Sequence, residues 1–492
     1  MGEGGASAED ALYSFDPAFS LRKKSTGYVP FMFPPALPLS SPSRPGFVYH
    51  LEFINLFKSD GGQAFASIDT LGVSSDNGYN WDLLLCLEIH PTRGLQAIMP
   101  TVATSAQKVP QSRIRELAEA AMKMEGVFKL YFGESNVPTP EYIKRAAIKA
   151  LEEGYTFYTE NAGLPGLRQD LADYYRRLQG VELDPRAEII VTASGLQALH
   201  VGIRCALDPG DEALVLTPAW PNGSAIIQMY NAVPVEISHP LRDGRYTIDF
   251  AALQDALTPR TRLLVYTSPS NPLGWVATEE EQERLLEFAR RHNLWLLADE
   301  VYDRLYYRVP ELGVPAPSIL RKATRDDAVM VAQSFSKTYC MTGWRVGWLI
   351  ARRDVGRKAT QLNEFIISHA PSFTQRAGQA ALKYGEEELR KMLGRLKENR
   401  DFCLAALRQM PGLTVPSPDG AFYVFPKIDG LSDSFAFCMR LLEETKVGIA
   451  PGVAFGAGGE GSVRICYAAE REILEPAMER LACFLSQRKS EK

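Results

Sequence analysis

Histidine is scarce in this chain, with six among 492 residues. They are scattered, whereas a metal site wants clustered His, Cys or carboxylates. The seven cysteines (86, 205, 340, 403, 438, 466, 483) are odd in number and include no CxxC pair. Neither a disulfide framework nor a zinc site follows, and a reducing compartment is the simple reading. Positive charge is not in excess: 54 Lys and Arg face 59 Asp and Glu, a formal charge of -5. That balance lacks the basic footprint of a nucleic-acid binder. No run approaches the roughly 18 apolar residues of a membrane span. The start, MGEGGASAEDALYSF, is not a secretory signal, and Ala6 stands where a myristoylation site needs Ser or Thr. The chain therefore reads as cytoplasmic, with neither nucleic acid nor membrane as a partner.

What is present is ordinary for a large globular protein: 46% hydrophobic and 23% charged residues, enough chain for two domains. Residues 1–98 differ in texture from the rest. VPFMFPPALPLSSPSRP (29–45) is rich in proline and serine, and WDLLLCLEI (81–89) is the one convincing strand-like piece. This stretch reads as an extension with little regular structure. Periodic sequence begins near Met99, which reads as a natural start with a translated leader upstream.

From residue 188 onward, apolar runs alternate with amphipathic helices: EIIVTAS, EALVLTP, RLLVYTSP, LWLLADE and AVMVAQSF are the runs. Such alternation predicts an α/β fold with a mostly parallel sheet covered on both faces. Ligands of these sheets bind at the carboxyl ends of the strands. Each run ends in polar or aromatic residues: Ser194-Gly195, Pro218–Trp220, Ser268–Asn271, Asp299–Tyr302 and Ser334–Lys337. After about 390 the strands become short and mixed with helices, as in a smaller α+β domain. GAGGEG (456–461) lacks the following helix that a phosphate loop needs, and reads as a surface turn.

The strand-end residues form one candidate pocket. A serine hydrolase would need GxSxG and a placed histidine, and neither is evident. A nicotinamide fold would need GxGxxG, where this chain has ASGLQALH. What remains suits an aromatic phosphate cofactor joined to a lysine through a Schiff base. Lys337 follows an apolar strand and sits among hydroxyls, and a lysine in such a place is seldom there without chemical employment.

SFSKTYCMTGWRVGW (334–348), SPSNPLG (268–274), ADEVY (298–302) and SVRICYA (462–468), taken in order and spacing, resemble the class I/II aminotransferases of fold type I, the aspartate aminotransferase superfamily. The resemblance covers about residues 110 to 488. It implies pyridoxal 5'-phosphate (PLP) as cofactor and a mostly parallel seven-stranded sheet. It also implies three parts: 99–140 as the N-terminal segment of the small domain, 141–385 as the large PLP-binding domain, and 386–492 as the C-terminal small domain. Lys337 would hold the cofactor and move a proton, for which a fraction of its amine must be neutral. Asp299 would pair with the pyridine nitrogen, Tyr302 and Asn271 with the phenolic oxygen, and Trp220 would stack on the ring. Ser194, Gly195 and Leu196 at a helix N-terminus, with Ser334, Ser336 and Arg345, would cradle the phosphate. Arg464 would grip the substrate α-carboxylate, helped by Asn271 and the backbone of Gly133, with Trp220 also facing the substrate. Tyr158 would reach the phosphate in a partner subunit, which makes a homodimer with shared sites the expected assembly.

Two departures from the family pattern bear on the substrate. Leu273 replaces the threonine of NPTG, which alters packing rather than chemistry. Leu196 stands where some relatives acting on aspartate or prephenate carry a lysine, so a neutral or apolar amino-acid side chain is favoured. Another arginine from a loop would restore the missing charge. The reaction expected is transfer of an amino group from an L-amino acid to a 2-oxo acid. A PLP lyase on the same fold (cysteine-conjugate β-lyase or aminocyclopropane-carboxylate synthase-like) shares Lys337, Asp299 and Arg464. A non-catalytic PLP-fold sensor is the third reading, and the intact lysine argues against it.

Overall fold

The computed structural model describes residues 101–490 except 108, together with five short strands between 48 and 82. The chain divides into two compact units, Met1–Pro100 and Thr101–Lys492. In the first, Leu71–Ser74 pairs antiparallel with Val48–Leu51 and with Asn80–Asp82, and Ile54–Lys58 pairs antiparallel with Ala64–Ile68. Strands thus occur where the sequence suggests little regular structure. The missed signal is Asp60-Gly61-Gly62 between two short alternating runs, a hairpin-type spacer. The proline-rich segment 29–45, the apolar run beyond Asp82 and Met99 lie outside the described residues.

The second unit is built on seven strands: β1 (Ile189–Thr192), β2 (Glu212–Thr217), β3 (Val233–Ser238), β4 (Thr261–Thr267), β5 (Trp295–Asp299), β6 (Val329–Ser334) and β7 (Gly347–Ala351). Their order across the sheet is β1-β7-β6-β5-β4-β2-β3. All neighbours pair parallel except β7, which runs antiparallel to β6 and to β1. Alternating residues feed two cores. Leu214, Leu264, Leu296 and Val331 face one, and Val215, Val265, Leu297 and Met330 face the other. Period-two burial on both faces explains why these strands read as unbroken apolar runs.

Local chemistry sets the helix ends. In Glu279–Arg291, Thr278 accepts from the Glu281 N–H while the Glu281 carboxylate accepts from the Thr278 N–H. Three glutamates open that helix and two arginines close it, which suits the macrodipole. The segment after residue 385 begins with the helix Glu386–Arg408 and carries the strands Tyr423–Val424 and Val463–Cys466, which pair antiparallel. Phe128–Lys129, far upstream, pairs parallel with Val447–Gly448. GAGGEG forms a short 3-10 turn at Ala457–Gly459 with no helix after it. Its Gly458 is exposed and its Gly459 buried, so the turn lies at the surface with one residue packed inward. Among the described residues, no helix is long and apolar enough to cross a membrane.

Candidate active site

Three parallel strands end side by side at the carboxyl edge. Thr267 of β4 is in register with Asp299 of β5, and Asp299 is in register with Ala332 of β6. The 335–346 loop leaves β6 and returns along the antiparallel β7, where Ser334 faces Gly347. Because β7 turns straight back, Ser336, Lys337 and Arg345 stay at that edge. A Cβ on Gly347 would lie 2.5 Å from the Gln333 carbonyl oxygen and 2.6 Å from the Gly195 nitrogen. Only glycine there lets the N-terminus of helix Gly195–Ala206 sit against the sheet.

These edges enclose a cavity of about 500 Å³. Its walls include Ser194, Gly195, Leu196, Trp220, Asn271, Asp299 and Tyr302. Gly133, Ser334, Ser336, Lys337, Arg345 and Arg464 complete the set expected from sequence. Tyr158 is not among them: it is 90% exposed, and its ring meets that of His369 edge-on at 5.7 Å.

The Lys337 Nζ donates to the Gly133 carbonyl at 2.6 Å and lies 5.7 Å from the Tyr302 ring centroid. Loss of water around the amine brings its pKa down to about 8. Asp299 is buried, and its carboxylate accepts a single long bond, 3.4 Å from the Val301 N–H. Desolvation pushes it up to about 7, against that backbone bond and the attraction of Lys337. Tyr302 hydroxyl shares a 2.7 Å hydrogen bond with that of Tyr423, and burial raises both phenols. A Cβ on Gly133 would stand 2.5 Å from the same Tyr423 oxygen, so this approach also requires glycine.

Ser334 Oγ donates to Ser336 Oγ at 2.8 Å and accepts from the Ser336 N–H at 3.1 Å. Arg345 donates to the Thr342 carbonyl at 2.8 Å. Ser194 (φ 95°) and Arg345 (φ 53°) both hold left-handed backbone, a strain found where surrounding structure fixes a functional geometry. Arg464 is fully buried in the strand Val463–Cys466. One arm of its fork donates to Asn271 Oδ1 at 2.9 Å and the other to the Tyr131 carbonyl. Its Nε has no hydrogen-bond partner among the described residues.

Several wall residues escape sequence reasoning. Ser112, Ile114, Arg115 and Phe132 enter from the N-terminal segment, Asn222 follows Trp220, and Thr342 lies in the lysine loop. Thr342 Oγ1 donates to Glu134 at 3.1 Å, tying that loop to the 133–139 segment. Thr342 lies inside the 334–348 motif and Asn222 two residues beyond Trp220, whereas the N-terminal residues carry no local signal.

The cavity also fits a planar phosphate cofactor by the chemistry of its groups. A buried carboxylate short of donors suits a protonated ring nitrogen, while a hydroxyl pair, a helix N-terminus and an arginine suit a phosphate.

The family model described as aminotransferase class I and II matches residues 125–481. An aspartate aminotransferase of Pyrococcus horikoshii is 37% identical over 384 residues, 77% of this chain and 96% of that protein. An aromatic-amino-acid aminotransferase of Thermococcus litoralis is 34% identical over 390 residues, 78% and 98% of the two chains. The solved aspartate aminotransferase of Thermus thermophilus (a single mutant) superposes with TM-score 0.72 at 32% identity, covering 78% of this chain and 100% of that one. The expected seven-stranded, mostly parallel sheet is present, and the chain belongs to the class I and II aminotransferases, with their fold type I architecture.

Proposed function

We propose that this protein is a cytoplasmic, homodimeric, PLP-dependent enzyme that moves an amino group from an L-amino acid to a 2-oxo acid, and that the cavity around Lys337 is where it does so. The observation that carries the reading is Lys337 itself. Its amine opens into the cavity with a pKa of about 8, so an appreciable fraction is neutral near physiological pH. PLP, when bound, supplies an electron sink for the bond broken at the substrate α-carbon.

The chain's residues do the rest. Lys337 takes the α-proton and returns it. Asp299 would hold positive charge at the ring nitrogen, a role that its buried carboxylate, with one long bond from the Val301 N–H, supports. Tyr302 and Asn271 donate to the ring's phenolic oxygen, and Trp220 covers a ring face. Ser194, Gly195, Leu196, Ser334, Ser336 and Arg345 receive the phosphate. Arg464 holds the α-carboxylate, and the nearby backbone of Gly133 contributes to the same pocket. Pairing of Phe128–Lys129 with Val447–Gly448 supports assigning 99–140 and 386–492 to one small domain, next to a 141–385 large domain. The exposed Tyr158 supports its assignment to a partner's phosphate site.

The relatives are named for aspartate and for aromatic amino acids, so the donor is open to experiment. A panel of L-amino acids is incubated with the PLP-loaded protein while the cofactor spectrum is followed. Conversion from the aldehyde to the amine form, reversed by a 2-oxo acid, is the expected result. Release of pyruvate and ammonia without an acceptor identifies a lyase, and no change with any amino acid overturns both.

A further inference from the structure

The strand Tyr423–Val424 carries a phenol that stands behind the cavity wall rather than in it. Tyr423 is fully buried. Its hydroxyl and that of Tyr302, 2.7 Å apart, are each other's one hydrogen-bond partner among the described residues. Tyr302, by contrast, lines the cavity together with Asn271 and Lys337. The Arg464 guanidinium lies 4.6 Å from the Tyr423 ring centroid, so one ring meets both the proposed carboxylate fork and Tyr302.

Counting protons fixes the direction of the bond. Two phenols hold two protons, and the bond between them uses one. If Tyr302 gave its proton, that of Tyr423 would be left in a dry interior without an acceptor, a state folded proteins rarely keep. If Tyr423 gives its proton, the one left over belongs to Tyr302 and opens on the cavity. Only the second arrangement leaves nothing buried unpaired. Burial raises both phenols, with attraction to Arg464 working against it, so both stay protonated at neutral pH and the count holds.

We propose that Tyr423 is a positioning residue: by donating to Tyr302 it aims the Tyr302 proton into the cavity, at the phenolic oxygen of the bound cofactor. A hydroxyl that receives a hydrogen bond gives a stronger one. The phenol behind the wall therefore sets how firmly the charge on that oxygen is held. The proposal rests on the proposed contact between Tyr302 and the phenolic oxygen.

The test is a pH titration of the absorbance of the PLP-loaded protein in the wild type, Tyr423→Phe, Tyr302→Phe and the double variant. Charge on the phenolic oxygen holds the proton of the neighbouring Schiff-base nitrogen, and a donor to that oxygen weakens the hold. Tyr423→Phe keeps the ring beside Arg464 and loses one oxygen. Its absorbance midpoint is expected to rise by about 0.5–1 pH unit, the scale of one hydrogen bond. Tyr302→Phe raises it further, and the double variant matches Tyr302→Phe because Tyr423 acts only through Tyr302. Tyr467→Phe, which removes another buried phenol whose hydroxyl donates to the Ala421 carbonyl, leaves the midpoint unmoved. An unchanged midpoint in Tyr423→Phe, an equal shift in Tyr467→Phe, or a double variant that moves beyond Tyr302→Phe overturns the role of Tyr423. If Tyr302→Phe also leaves the midpoint where it was, the placement of Tyr302 at the phenolic oxygen is lost too.

Discussion

Nη1 of Arg464 donates to Oδ1 of Asn271 at 2.9 Å, joining the strand Val463–Cys466 to the loop that follows β4. The fork proposed to take the substrate carboxylate is thus held in place by the loop proposed to contact the cofactor. Arg464→Lys keeps the charge but not the planar fork. It is expected to lower kcat/KM by about a hundredfold, roughly 2.7 kcal/mol, while the cofactor spectrum without substrate is retained. Steady-state kinetics with one amino acid checks this; a loss below about threefold argues against α-carboxylate binding there.

Burial makes the cofactor-free protein sensitive to pH. Asp299 is pushed up to about 7 and its neighbour Glu300 to about 8. Between about pH 4 and 7 the folded chain keeps protons that the unfolded chain has released, so stability falls as pH rises, by at most about 1.4 kcal/mol per unit for each group. Lys337, brought down to about 8, acts oppositely: from about pH 8 to 10.5 only the unfolded chain holds its proton, so stability rises with pH. Asp299→Asn removes one of these acidic contributions. Its denaturation midpoint without cofactor should change less between pH 5 and 7 than that of the wild type, and an equal change contradicts this.

Gly133 tests the phenol pair. Gly133→Ala places a methyl group against the Tyr423 hydroxyl and displaces its 2.7 Å bond to Tyr302. Overpacking of this kind costs about 1–3 kcal/mol. A lowered melting temperature and a shifted cofactor absorbance are expected. Adding Tyr423→Phe, which removes the obstructing oxygen, should recover part of the stability; full additivity of the two changes would contradict the contact.

Phe157 (80% exposed) and Tyr158 (90%) are exposed, as are Phe365 (88%), Ile366 and Ile367, and the Tyr158–His369 ring contact brings the two segments together. Patches of this kind mark association sites. Light scattering should find a dimer, and Phe365→Asp should shift it toward monomer. Shared sites make a sharper forecast. Mixing inactive Lys337→Ala and Tyr158→Ala subunits should restore about a quarter of the sites, since each hybrid dimer holds one complete set. No recovery after subunit exchange contradicts the placement of Tyr158.

Much of the large sheet was readable because β1, β2, β4, β5 and β6 are buried on both faces and so are continuously apolar. β3 was not: it is an edge strand, VPVEIS, with Pro234 and with Val233, Glu236 and Ser238 exposed. β7 was hidden inside the GWRVGW motif, where attention falls on the arginine. Lys337, Asp299 and Asn271 were legible because strand ends converge by topology. Arg115 and Tyr423 were not, since tertiary packing alone brings a distant helix to the cavity and the strand Tyr423–Val424 against Tyr302. Leu196 favours a neutral substrate side chain, a preference read from one wall of the cavity.

Borohydride reduction of the PLP-loaded protein, followed by peptide mass mapping, tests the role of Lys337 most directly. One pyridoxyl adduct on the peptide that contains Lys337, absent from Lys337→Ala, is the predicted result. An adduct on a different lysine, or none at saturating cofactor, would contradict it.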